Sequence, residues 1–163
     1  KEKIDCRLVF CYNIATDDPE CIQMYDRVYQ KAGKLVEKGD VLFILGNNDI
    51  LVNAIQSFSK VIIQKSIREG FCLAVTEALW KAKPVVASQV GGIPAQIVNG
   101  ETGYLLNPDD KAGFAERIVH LLQHPKEAQQ LGEKAKTSIR KNFLLPRLLS
   151  NHLDLLKLVI QKT

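Results

Sequence analysis

A chain of 163 residues, 46% hydrophobic and 25% charged, is long enough for one domain with a real core and has the balance of an ordinary folded protein. Its formal charge of +4 is spread along the sequence, without a Lys/Arg block or a basic stripe interleaved with aromatics, which argues against a nucleic-acid partner. No run approaches the roughly 18 apolar residues of a membrane span, and the opening "KEKIDCRLVF" has no signal-peptide core, so the expectation is a cytoplasmic protein with no membrane partner.

In chain order, "RLVFCYN" (7–13) is the first strand candidate. A helix comes next in "DPECIQMYDRVYQKAGKLVEKGD", with Asp18 as N-cap, Pro19 at the first helical position and Gly39 as the stop. Strand "VLFIL" (41–45), helix "DILVNAIQSFS" (49–59), strand "KVIIQ" (60–64), helix "LAVTEALWKAK" (73–83) and strand "PVVAS" (84–88) continue the alternation. "GYLL" (103–106) supplies the fifth strand. These strands are nearly continuous apolar runs, the pattern of a parallel sheet covered on both faces. Strand and helix alternating in this way predict an open doubly wound α/β sheet, Rossmann-like, with ligands at the strands' C-terminal ends. After Leu106 the period is helical throughout, in "DDKAGFAERIVHLLQH", "PKEAQQLGEKAKTSIRKNF" and "LLPRLLSNHLDLLKLVIQKT". The chain is thus expected to be a single domain, 1–163, whose residues 107–163 form a helical tail. Pro125 suits a helix start, and Pro146 a second start or a kink.

Cys6, Cys11, Cys21 and Cys72 have neither zinc-site spacing nor the density of a disulfide scaffold, and His120, His124 and His152 show no ligand pattern.

The chemistry concentrates in "SIREGFCLAVTE" (66–77), where a strand enters a loop and then a helix beginning near Cys72 or Leu73. Such a helix start aims unpaired backbone N–H groups and a positive dipole end at the sheet edge, where a phosphate fits. Gly70 lets the loop turn sharply and a ligand approach the main chain. Glu69 and Glu77 would each repel that phosphate. A carboxylate only accepts hydrogen bonds, so its natural partners are hydroxyl pairs on a sugar or a ribose. Eight helical residues rise about 12 Å, roughly a pyrophosphate with one sugar on each side. A nucleotide sugar therefore answers the spacing, although a glutamate early in a helix is favoured by the dipole in any case. "SQVGGIPAQIVNGETGYLL" (88–106) adds a second loop at the same edge. Gly91 and Gly92 permit a tight turn and close backbone approach, and 93–98 suit a short helix, unless these are two ordinary glycine turns.

"EGFCLAVTE" resembles the E-x7-E element of retaining glycosyltransferases of family four, and "EALWKAKPVVASQVGGIPAQIVNGETGYLL" resembles the segment that comes after that element in the family. Within the family, "SIREGF", "GGIPAQI", "ATDDPECIQMYDRV" and "KAKTSIRKNF" are similar to the trehalose-forming synthases, with the trehalose phosphorylases next. The resemblance runs from about Ile14 to Phe143.

It implies a two-domain GT-B architecture of which this chain is most of the C-terminal, donor-binding half. The acceptor half is implied as a partner, the donor as nucleoside-diphosphate glucose, UDP- or ADP-linked, and no metal or cofactor is implied, because this architecture neutralises the leaving diphosphate with protein groups. By position, Glu69 would contact the donor glucose and support positive charge at its anomeric carbon. Gly70, Phe71, Cys72 and Leu73 would touch sugar and phosphates, Glu77 the ribose, and Gly46 with its neighbours the base. Two departures are notable. Cys72 stands where the family usually has glycine. The family's opening strand and its Arg/Lys loop, which grip the pyrophosphate, have no counterpart here, leaving Lys65 and Arg68 as the nearby cations. The expectation is a domain with negligible transferase activity alone. A phosphorylase-type fragment and a non-catalytic binding or assembly module are the rival readings. The leucine-rich final helix has a surplus apolar side suited to the other half or to self-association, unless it is simply a buried terminal helix.

Overall fold

The computed structural model describes residues 4–13 and 19–161. The expected N-cap Asp18 lies outside them. Contacts divide the chain into two compact units, Lys1–Ile55 and Gln56–Thr163.

The first unit is a βαβ element: β1 (Leu8–Tyr12), α1 (Pro19–Glu37) and β2 (Val41–Leu45). β1 and β2 pair in parallel from Leu8 opposite Val41 to Tyr12 opposite Leu45. Tyr25 and Tyr29, one turn apart on α1, lie against Phe43 of β2 with centroids at 5.5 and 5.2 Å, and Tyr25 also meets Tyr12 of β1 at 4.9 Å. The helix face and the sheet face thus share one aromatic cluster. Gly39 ends the helix as its sequence position foretells. It is left-handed (φ 74), and the N–H groups of Gly39 and Asp40 donate to the carbonyls of Val36 and Leu35, both at 2.9 Å. α2 (Asp49–Phe58) is next, capped by Asn48, whose Oδ1 accepts from the N–H groups of Ile50 at 2.9 Å and Leu51 at 3.1 Å.

The second unit is built on β3 (Ile62–Gln64), β4 (Val85–Ser88) and β5 (Tyr104–Leu106), a parallel sheet with β4 in the centre. α3 (Leu73–Trp80) crosses from β3 to β4, and α4 (Lys111–Gln123), α5 (Pro125–Asn142) and α6 (Leu145–Ile160) close the chain. Every residue of β4 is buried, and its alternation serves two cores. Val85 and Ala87 pack with Val75, Ala78 and Leu79 of α3 and with Ala135 and Ile139 of α5. Val86 packs on the opposite face with Phe114 and Leu121 of α4 and Leu131 of α5. Both faces are covered, as the unbroken apolar run "PVVAS" predicts. Pro125 and Pro146 both stand in first helical turns. The short helix expected over 93–98 is a single 3-10 turn, Ile93–Ala95.

No helix among the described residues is long and apolar enough to cross a membrane. All four cysteines are free thiols. His120 Nε2 lies 2.9 Å from Glu127 Oε2, joining α4 to α5.

Candidate functional site

The sheet edge of the second unit carries two loops, 65–72 after β3 and 89–96 after β4. α3 begins at Leu73, where the sequence places it, and Cys72 is the N-cap residue. Cys72 has φ 69 and ψ 75, left-handed values that cost a residue with a Cβ about 1–2 kcal/mol. This explains in conformational terms why glycine suits the position.

The loops are stitched to each other. Gly92 N–H donates to the Gly70 carbonyl at 2.6 Å. A Cβ on Gly91 would sit 1.9 Å from the Glu69 carbonyl oxygen, and one on Gly92 2.7 Å from that of Gly70. The two glycines therefore serve loop-to-loop contact, where the sequence alone left close approach to a ligand equally open. Gln96, which no sequence motif singles out, adds a second stitch. It is 2% exposed, its Nε2 donates to the Phe71 carbonyl and, at 3.5 Å, to that of Cys72, and its Oε1 accepts from the Thr76 hydroxyl at 2.6 Å. A polar residue inside "GGIPAQIV" was the available signal, and only the fold reveals its partners.

The carbonyls of Gly70 and Phe71 are thus drawn toward the second loop. In a trans peptide the N–H opposes its C=O, so the N–H groups of Phe71 and Cys72 face the other way. With that of Leu73 at the helix start they donate to no acceptor among the described residues. Consecutive unpaired amides around a left-handed residue form an anion-binding concavity. The side chain of Cys72 belongs to the central residue of this row. Burial raises the thiol's pKa; the amides of Val75 and Ala74 oppose the shift, and the neighbouring Glu69 carboxylate adds to it.

Glu69 is half-buried and held from one side: its Oε1 accepts from Ser66 Oγ at 2.9 Å and Gln64 Nε2 at 3.2 Å. Glu77 is exposed on α3, with Oε2 accepting from Gln56 Nε2 at 3.1 Å, while Gln56 Oε1 accepts from Lys81 Nζ at 2.7 Å. Both carboxylates are oriented by neutral amides or a hydroxyl, and neither forms an ion pair among the described residues. The Phe71 ring packs on Phe143 at 5.8 Å. Of the two nearby cations, Lys65 is committed elsewhere, donating to the Pro108 carbonyl and lying 5.4 Å from the Phe114 ring centroid. Arg68 is exposed, with no ion pair among the described residues. Gly46 belongs to the first unit: buried after β2, it donates its N–H to the Tyr12 carbonyl at 2.7 Å, and a Cβ there would meet Cys11 Sγ at 3.1 Å.

Residues 22–138 match the family model of glycosyl transferases, group 1. The chain belongs to the group 1 glycosyl transferases. The trehalose synthase of Pyrococcus horikoshii is 42% identical over 157 residues, 96% of this chain and 37% of that protein. The trehalose phosphorylase of Grifola frondosa is 35% identical over 136 residues, 82% of this chain and 19% of that protein. The chain spans little more than a third of the curated relatives it matches most fully. Among solved structures, Anabaena HepE in complex with UDP-glucose superposes with a TM-score of 0.80 at 18% identity, covering 93% of this chain and 40% of that one. The likeness shows the fold, and this group 1 glycosyl transferase has the Rossmann-like architecture of GT-B enzymes, as its strand and helix alternation predicts.

Proposed function

We propose that this chain is the C-terminal, donor-binding half of a retaining family-four glucosyltransferase that forms trehalose from nucleoside-diphosphate glucose and glucose. The observation that carries the reading is the row of unpaired N–H groups at Phe71, Cys72 and Leu73, with a carboxylate on each side in sequence. In this reading the pyrophosphate of UDP- or ADP-glucose accepts from those amides, and the helix dipole offsets its charge. Glu69, held by Gln64 and Ser66, accepts from donor glucose hydroxyls and stabilises positive charge developing at the anomeric carbon. It is not assigned as a nucleophile; the leaving phosphate assists a front-face displacement. Glu77 takes the ribose diol through the oxygen that Gln56 leaves open, and Arg68 is the available cation.

The acceptor sugar sits on a separate acceptor domain, so these residues alone bind donor and show negligible transfer, because orientation needs both halves. The apolar side of α6 suits that domain. Self-association through it is the competing use of the same surface.

Two other readings have specific support. Similarity to a trehalose phosphorylase favours a site for inorganic phosphate or glucose 1-phosphate. The Cys72 side chain at the anion concavity favours a non-catalytic binding or assembly module. Calorimetric titration with UDP, ADP, GDP and their glucose conjugates, against inorganic phosphate, separates the three. The donor reading expects binding of at least one nucleotide, weakened about tenfold by Glu77→Ala through loss of a charged hydrogen-bond acceptor. Stabilisation by phosphate alone points to the phosphorylase type, and no binding at all points to the module.

A further inference from the structure

A buried carboxamide lies between the two edge loops with both ends committed. Gln96 comes directly after the 3-10 turn, is 2% exposed, and stands between the apolar residues Ile93 and Ile97, whose side chains contribute nothing polar. An amide group offers an acceptor at one end and two donors at the other, and its partners decide which end faces which way. The Thr76 hydroxyl, on the first turns of α3, donates to Oε1 at 2.6 Å. Nε2 is thereby turned to the Phe71 and Cys72 carbonyls. The Cys72 carbonyl also accepts from the amides of Val75 at 3.1 Å and Thr76 at 3.4 Å, but without a donor at Gln96 that of Phe71 would be left to find another partner, and the Phe71–Cys72 peptide would be free to rotate. Among the described residues, the other tie between the two loops is the Gly92 to Gly70 hydrogen bond, one peptide earlier.

We infer that Gln96, oriented by Thr76, is the positioning residue that turns the Phe71–Cys72 peptide so that the Cys72 amide faces a bound diphosphate together with those of Phe71 and Leu73 on either side. The inference rests on the donor-site reading. Gln96 touches no ligand in it; its action is exerted through the loop backbone. A cost is borne at the same place, because Phe71 O is held by Gln96 while Cys72 O is held by the first turn of α3, and Cys72 between them is left-handed at φ 69. Thr76 and Gln96 come from two successive crossover segments, so the concavity is assembled only when α3 and the loop after β4 are both in place.

The test uses the full 163-residue chain. Nucleoside-diphosphate affinity is measured by calorimetry for the wild type, Gln96→Met, Gln96→Glu and Thr76→Val, with backbone amide NMR on each. Gln96→Met keeps the volume and removes the donor, and is expected to weaken binding at least about tenfold while the amide signals of Phe71, Cys72 and Leu73 shift. Gln96→Glu is expected to lose binding at neutral pH and recover part of it in acid, relative to wild type at the same pH, as a protonated carboxyl supplies an O–H donor. A residue that merely fills space would show no such pH-dependent rescue. Wild-type affinity in Gln96→Met overturns the inference. If the wild type itself binds no nucleoside diphosphate, the donor-site reading falls, and Gln96 is judged separately by the amide-to-Hα coupling of Cys72, which reports φ. A coupling unchanged in Gln96→Met overturns the positioning role, and a changed one upholds it. Should Gln96→Met fail to fold, Thr76→Val carries the same comparison: moved Phe71–Leu73 signals support the role and unmoved ones overturn it.

Discussion

α3 and α6 are both rich in aliphatic residues and meet opposite fates. Val75, Ala78 and Leu79 of α3 are fully buried, whereas α6 has no buried residue and leaves Leu145, Leu149, Leu153, Leu156 and Ile160 exposed by 76, 60, 49, 57 and 72%. Composition does not decide this. α3 joins two adjacent parallel strands, and a crossover connection can only lie back on the sheet. α6 comes after the last strand and α5, so no chain constraint folds it onto a core. Leu145, Leu149, Leu153, Leu156 and Ile160 nevertheless recur at helical spacing along one side, with Arg147 and Asp154 opposite them.

The largest expected effect sets the two helices against each other. Leu79→Ala removes a side chain with no exposure and should cost about 2–5 kcal/mol, while Leu156→Ala, 57% exposed, should lie within about 0.5 kcal/mol of wild type. Urea denaturation midpoints measure both. A comparable cost at Leu156 would break the contrast and mean that α6 is covered in solution. Concentration dependence of the midpoint would then identify a second copy as the cover.

A smaller effect sharpens the account of how α3 starts. Cys72→Gly relieves the left-handed strain of about 1–2 kcal/mol, partly offset by the greater freedom of glycine in the unfolded chain, for a net gain of up to about 1 kcal/mol. It also empties the space beside the Ala74 and Val75 amides, so nucleoside-diphosphate binding should tighten in calorimetry. A stability loss would mean that the thiol's packing outweighs the strain.

The smallest effect lies where α4 meets α5. The hydrogen bond from His120 holds the Glu127 carboxyl below its ordinary 4.5, with Tyr104 assisting. A carboxyl lowered in the folded state contributes stability that is present above 4.5 and is lost as pH falls through the lowered folded value. Glu127→Gln should flatten that acid limb of a thermal melting series and leave the α3 core unaffected. The site is exposed and screened, so the change is slight.

Most of the architecture was legible in the residues, because unbroken β-branched runs and helical periods are local signals that β4 and α3 obey. The start of α3 at Leu73, the Gly39 stop and the Pro125 start were likewise readable from caps and breakers. The carboxylates of the candidate site could be picked out by type and spacing, but their holders could not. Gln64 and Ser66 on Glu69, and Gln56 on Glu77, are contacts the chain makes only after folding. Lys65 illustrates the same limit: its charge suggested a phosphate partner, yet an apolar ring and a carbonyl across the sheet edge claim it. Gly91 and Gly92 carried an ambiguous message, since a ligand and a neighbouring loop demand the same absence of a side chain.

The stitching of the two edge loops has a thermodynamic corollary. Because Gly92 and Gln96 grip the carbonyls of Gly70 and Phe71, neither segment can fray by itself without stranding the other's polar groups. The pair is therefore expected to open as one cooperative unit, its amides exchanging together. A sugar-phosphate arriving at this rim would thus meet a surface already set, and little of its affinity would be spent on ordering the main chain.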